Sequence, residues 1–292
     1  MWHGLCDIDV MMKNLNTITG KSKLVNSFVA VAWFAFRLLG YGVSNPAQAA
    51  TPTQHVYPSG VEVAVQIGND LYDSLDKKDR NKLQEPPIRM VDGSVPEMAP
   101  VANIGDNKMV GQLSVSVGFV NLINHIAHAL AVDRIQPGYF DQYMSYLGTE
   151  TATGAAPEPP DILADRCWTD SVMNDQASYF NQIMGMTMAI NLSHHYLGEF
   201  NKYAGQAQPG KPVAINNLVT SSEWDKEVRA AVENSLNCAY ATEGAKALFS
   251  AIDKMPHRPA WTADILPQNV DIQRLNKRLA KYEVAFFHGG LN

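Results

Sequence analysis

The strongest constraint on how this chain can fold is the apolar run at residues 180–201, which ends in two adjacent histidines, His194 and His195. Its apolar positions, 183, 184, 186, 188, 190, 192 and 197, alternate too poorly for a strand and extend too far for one. They predict a single buried helix over roughly residues 177–203. His195 and Glu199 are four residues apart, so an unbroken helix places them on one face. His194 is turned from its neighbour by about 100°, so the two histidines cannot point at the same spot. An apolar helix that ends in titratable groups can wall a site. It can equally hold one histidine as a hydrogen-bonded core residue and leave the other solvated.

The remaining segments supply what must pack around that helix. Residues 61–75 read as a helix and 87–91 as a short strand. Gly105-Asp106-Asn107 is a turn between two extended runs. Residues 112–117 alternate with period two, as a half-buried strand does. Residues 119–135 carry a helical stripe on which His125 and His128 share a face. A short helix follows at 137–148, then a loop rich in proline and small residues at 149–160. Residues 161–176 are irregular, and 205–213 is a second linker. A long helix runs from about 221 to 254, with Ser222 as N-cap, Asp225 in a shortened capping box and Gly244 as a possible break. A proline-punctuated tail ends in a charged helix over 271–284, expected on the outside. The order predicts an α+β chain, mostly helical, with a small sheet or hairpin at one edge.

The beginning of the chain reads differently. Lys13, Lys21 and Lys23 precede an apolar segment at 24–36, and Ala47-Gln48-Ala49 follows. That is the order of a secretory signal peptide, with cleavage expected after Ala49; an uncleaved anchor is the alternative. The expected organisation is a leader at 1–49 and one domain at 50–292, in the periplasm or secreted. The formal net charge of −6 becomes about −8 without the leader. An acidic exported chain argues against nucleic acid as partner. The mature chain has no stretch suited to a membrane span. Cys167 and Cys238 are its two cysteines, and an oxidising compartment suggests that they pair, with two free thiols as the alternative. Trp168, Trp224 and Trp261 can line a groove or anchor packing.

Residues 103–123, with the turn, the alternating strand and the helix start, resemble a segment of the CAAX-prenyl-protease-like zinc metallopeptidases. The likeness runs loosely from about 61 to 252, with an insertion near 133–176 and a helical extension at 256–292. That family's H-E-x-x-H helix falls over residues 190–199, where Leu192, Ser193, His194, His195, Leu197 and Gly198 fit the longer pattern. The resemblance implies a zincin-like fold and zinc-dependent peptide hydrolysis. In H-E-x-x-H, two histidines four residues apart hold zinc and the glutamate is general base on its water. Here the first ligand position is Ile190 and the base position is Asn191, so only His194 matches. The family's third ligand falls in 238–249, where Glu243 is the acid, with Glu233 as an upstream alternative.

Three readings follow. The chain can be a relative without metal that binds a peptide or protein along an edge strand at Leu113, Val115 and Val117. It can carry a rebuilt zinc site drawn from His194, His195, His125, His128 and Glu243, with Glu199 as base. That site requires histidines of the 119–135 and 177–203 helices to converge. Or it is an unrelated exported helical protein.

Overall fold

A computed structural model describes residues 57, 60–105, 108–149, 154–203 and 213–289. The leader expected at 1–49, residues 106 and 107 of the turn and most of the 205–213 linker lie outside them. The expected class holds: the protein is α+β, mostly helical, with one three-stranded mixed sheet. In chain order the elements are α1 (Gly60–Ser74), α2 (Lys77–Arg80), β1 (Leu83–Val91), β2 (Met98–Gly105) and β3 (Lys108–Ser116). Then come α3 (Val117–Asp133), α4 (Tyr139–Thr149), α5 (Asp170–Tyr196), α6 (Glu199–Tyr203), α7 (Ser221–Asn237), α8 (Glu243–Lys254) and α9 (Ile272–Phe287). Among the described residues no helix is long and apolar enough to cross a membrane.

The apolar run is the axis of the fold. α5 is 27 residues long, capped at its start by Thr169, and buried without interruption from Ile183 to Tyr196. A helix buried all round must be enclosed by other elements. Here α1, α3, α7, α8 and β3 enclose it. The helix does not reach residue 203. Gly198 takes φ of +87°, a left-handed conformation suited to glycine, and the chain restarts as α6. His195 and Glu199 are therefore not on one helical face.

The strand at Leu113 and Val115 is not an edge. The sheet order is β1-β3-β2, with β1 parallel and β2 antiparallel to β3. β3 is thus the central strand, and Val117 is already the first residue of α3. The alternation 112–116 misled because both faces are covered: Leu113 and Val115 are buried, and so are Gln112, Ser114 and Ser116. The polar set is satisfied locally. Gln112 donates to Pro86 O at 3.0 Å, and Ser116 Oγ caps α3 by accepting from Phe119 N. The outer edge of β2 is itself partnered, through Val213 N to Pro100 O and Met98 N to the Asp264 carboxylate. β1 carries Pro86 and Pro87, which blunt its ladder.

Other expectations shift for identifiable reasons. The long helix after 221 is two helices, α7 and α8, separated by a turn in which Ala239 takes φ of +62°. Gly244 lies inside α8, its N–H donating to Gln182 Oε1. The α7 cap is Thr220 rather than Ser222, in a full capping box with Glu223. The C-terminal extension is more than a cover. Trp261, Ile265, Leu266, Ile272, Leu275 and Leu279 are core residues, and the 3-10 turn Ala260–Asp264 meets α5. The expected disulfide is absent: Cys167 and Cys238 are free. Their sulfurs approach separate backbone carbonyls, Cys167 near Asp161 O and Cys238 near Asp70 O at 3.2 Å.

Candidate functional site

The last turns of α5 carry Asn191, His194 and His195. Asn191 and His194 are three residues apart and share a face. Asn191 Nδ2 donates to Thr187 O and to Asp264 O, each at 3.0 Å, and its Oδ1 has no partner. The position that would hold a general base is thus a core amide that ties α5 to the 260–264 turn. Ile190 beside it is fully buried.

His194 is sealed in the same layer. Its Nδ1 lies 2.6 Å from Glu227 Oε1 on α7, and its Nε2 lies 3.0 Å from Asn216 Oδ1. Asn216 Nδ2 donates to Ala263 O, which fixes the amide with its oxygen toward the histidine. Nε2 must therefore carry a proton, and a second proton sits between Nδ1 and the carboxylate. The pair is electrically neutral overall, whichever partner holds that proton. Both side chains are 0 % exposed. Neither ring nitrogen of His194 is left for a metal or a substrate.

His195 turns the other way. Its Nε2 donates to Gln112 O at 3.2 Å, and its ring lies on Gly111 of β3, where a Cβ would meet the ring at 2.2 Å. Phe200 stacks on it with ring centroids 4.5 Å apart. Burial, and then the neighbouring His194, push its pKa down to about 3, so the ring is neutral. A small recess of about 90 Å³ lies beside it, lined by Lys82 and Phe200. Lys82 is already engaged by Asp79 at 2.7 Å and by Tyr196 O. Glu199, proposed as a base, begins α6 and is ion-paired with Lys202, which also holds Glu223 at 2.6 Å.

The α3 histidines belong to another part of the fold. His128 Nε2 donates to Cys167 O at 2.6 Å, its Nδ1 faces the Tyr57 hydroxyl at 3.1 Å, and its ring meets Trp168 edge-on. His125 lies beside Tyr57, and burial lowers its pKa to about 4. Cys167 and Trp168 precede the first turn of α5, whereas His194 lies 24 residues into that helix, about 36 Å along it at 1.5 Å per residue. Glu243 opens α8 beside Gln182, well before the histidines on α5, and pairs at 3.4 Å with Lys246. The ligand set His194, His195, His125, His128 and Glu243 is therefore not brought together. Among the described residues no three His, Cys, Asp or Glu side chains form a group that could hold a metal ion. The set fails because α5 is long enough, at 27 residues, to separate its two ends.

A larger concave feature than the recess beside His195 lies elsewhere. A cleft of about 450 Å³ opens between the first turns of α7 and α9 and the segments 216–219 and 267–270. Trp224, Val228 and Leu275 form its apolar part, Asn216 reaches it from the His194 layer, and Arg274 and Arg278 stand on one side. Arg278 is neutralised by Asp225 at 2.6 Å. The Arg274 guanidinium has no side-chain partner among the described residues. Trp224 is buried, and its indole N–H has no acceptor among the described residues. Of these residues the sequence offers only Trp224 as a groove candidate, and Asp225 for a capping box alone. The rest mix buried residues, Asn216, Val228 and Leu275, with the arginines of α9, and they come from three separate segments. Comparison with protein-family models, with curated proteins and with solved structures returned no match.

Proposed function

We propose that this chain is an exported binding protein without peptidase chemistry, whose ligand is a peptide or protein segment held in the cleft over Trp224. The observation that carries the reading is that cleft: about 450 Å³, with an apolar floor and a free guanidinium at its side. Its volume lies in the range of ordinary ligand pockets, and it combines apolar surface with a few polar groups, as such sites do. Export rests on the order of charged, apolar and Ala-x-Ala residues over 1–49. The zinc-peptidase reading needs convergent ligands and an accessible base. Asn191, His194 and Glu199 are instead each committed to partners within the fold. The edge-strand mode of binding loses its strand, since Leu113 and Val115 are internal.

The test is a pair of measurements on the purified protein. Bound metal is read by elemental mass spectrometry after dialysis against micromolar zinc, and peptide binding is read by titration calorimetry. Peptide binding that is weakened by substitutions in the cleft supports the proposal. About one zinc per chain that is lost on His194→Ala, with peptide cleavage lost alongside, overturns it.

A further inference from the structure

The chemistry of the cleft narrows what it accepts. Four charged side chains line it, and they do not cancel evenly in space. Arg278 and Asp225 are ion-paired, and Tyr282 donates a further hydrogen bond to Asp225 at 3.0 Å. Asp271 caps α9 by accepting from the Arg274 backbone N–H at 2.9 Å. Among the described residues Arg274 alone of the four keeps an unsatisfied fork of donors, and it is exposed. One exposed guanidinium in a cleft that also holds two carboxylates favours a singly charged anion over a polyanion such as a phosphate ester. Leu275 follows Arg274 in sequence, and both face the cleft, so charge and apolar surface lie side by side. A ligand that satisfies both must carry a carboxylate and an apolar group on neighbouring atoms. Trp224 contributes apolar ring surface to the same wall as Val228 and Leu275.

From this geometry we infer that the cleft recognises the free C-terminus of a peptide ending in an apolar residue. The α-carboxylate lies on Arg274 and the last side chain on Trp224, Val228 and Leu275. This rests on the binding reading above and adds the ligand class. An apolar side chain and an α-carboxylate branch from one Cα, which matches the adjacency of Leu275 and Arg274. An acidic side chain is set further from the apolar group of a neighbouring residue.

The test uses the full protein and fluorescently labelled hexapeptides read by anisotropy. One set ends in leucine or phenylalanine with a free carboxylate. A second has the same sequences amidated. A third is amidated but carries a glutamate at the penultimate position. The free acids are expected to bind about tenfold or more tightly than the amides, the worth of one hydrogen bond to a charged group. Arg274→Gln is expected to remove that difference while the exposed neighbour Lys277→Gln leaves it intact. Equal binding of acids and amides, or a preference for acids that survives Arg274→Gln, overturns the inference. If the glutamate-bearing amides bind as tightly as the acids, the C-terminal assignment fails while the binding reading stands. If no peptide binds, both fail.

Discussion

Asp264 provides the sharpest test of how this core is held together. It ends the 260–264 turn, and its Oδ2 accepts from Met98 N at 3.1 Å, tying the turn to the edge of β2. Burial raises its pKa from 3.8 to about 7, against the lowering effect of the Met98 hydrogen bond and with a smaller upward push from Glu97. A carboxyl raised on folding binds its proton more tightly in the folded state. Its contribution to stability is fully present below pH 4 and is lost as pH rises through 7. The full shift is about three units, or ~4 kcal/mol at about 1.4 kcal/mol per unit. Between pH 5.5 and pH 8 the share lost is about 2 kcal/mol. Asp264→Asn retains an acceptor for Met98 N and cannot titrate. The assay is urea unfolding of both proteins at pH 5.5, 6.5, 7.5 and 8. Other titrating groups are common to the two proteins and cancel in the difference. The variant is expected to lose about 2 kcal/mol less than the wild type across this range. Parallel pH profiles would show that Asp264 is ionised in the fold at ordinary carboxylate pH, and the argument from its burial would fail.

Four further outcomes follow from the same packing. Glu227→Ala strands the buried His194 and is expected to cost about 3–5 kcal/mol in urea unfolding, with Glu227→Gln costing less because an acceptor remains. Gly111→Ala drives a Cβ to 2.2 Å from the His195 ring and is expected to cost at least about 1–3 kcal/mol. Combining it with His195→Ala should cost less than the sum of the two single changes, and simple additivity would refute the contact. Thiol titration in denaturant without reductant should find both Cys167 and Cys238 reactive, whereas their absence from the titration would restore the disulfide. N-terminal sequencing of the exported protein is expected to begin at Ala50; a start at any other residue refutes the leader boundary.

How far the fold was legible depended on whether the deciding interaction was local. Helical stripes marked α1, α3, α4 and the body of α5, because periodicity records which face of a segment is buried. The capping residue of α7 was missed by two positions, since Thr220, Ser221 and Ser222 are all competent caps and only the Glu223 hydrogen bonds distinguish them. The break at Gly198 was misread because a glycine near a helix end is compatible with either continuation or a left-handed stop. The role of β3 was misread because alternation of Leu113 and Val115 with serines describes a half-buried strand as well as one covered on both faces by helices and hydrogen-bonded polar groups. The candidate site fared worst. A pair of adjacent histidines on an apolar helix drew attention to metal chemistry. Their partners Glu227, Asn216 and Gln112 lie 33, 22 and 83 residues away and could not be paired with them by spacing.

The sequence by itself determined the central helix, the mixed helical and strand content, and the divergent directions of His194 and His195. These follow from 3.6 residues per turn and from the need to bury an apolar segment of that length. Only the tertiary structure decided that both histidines are hydrogen-bonded within the core, that β3 is central and that the C-terminal turn enters the core. It alone assembled the cleft around Trp224 and Arg274. The physical reason is that a residue's pattern sets the direction in which it points, while its chemistry depends on what another part of the chain places there. His194 faces a carboxylate and an amide from α7 and the 215–217 turn, and those two contacts convert a possible metal ligand into a neutral, buried pair.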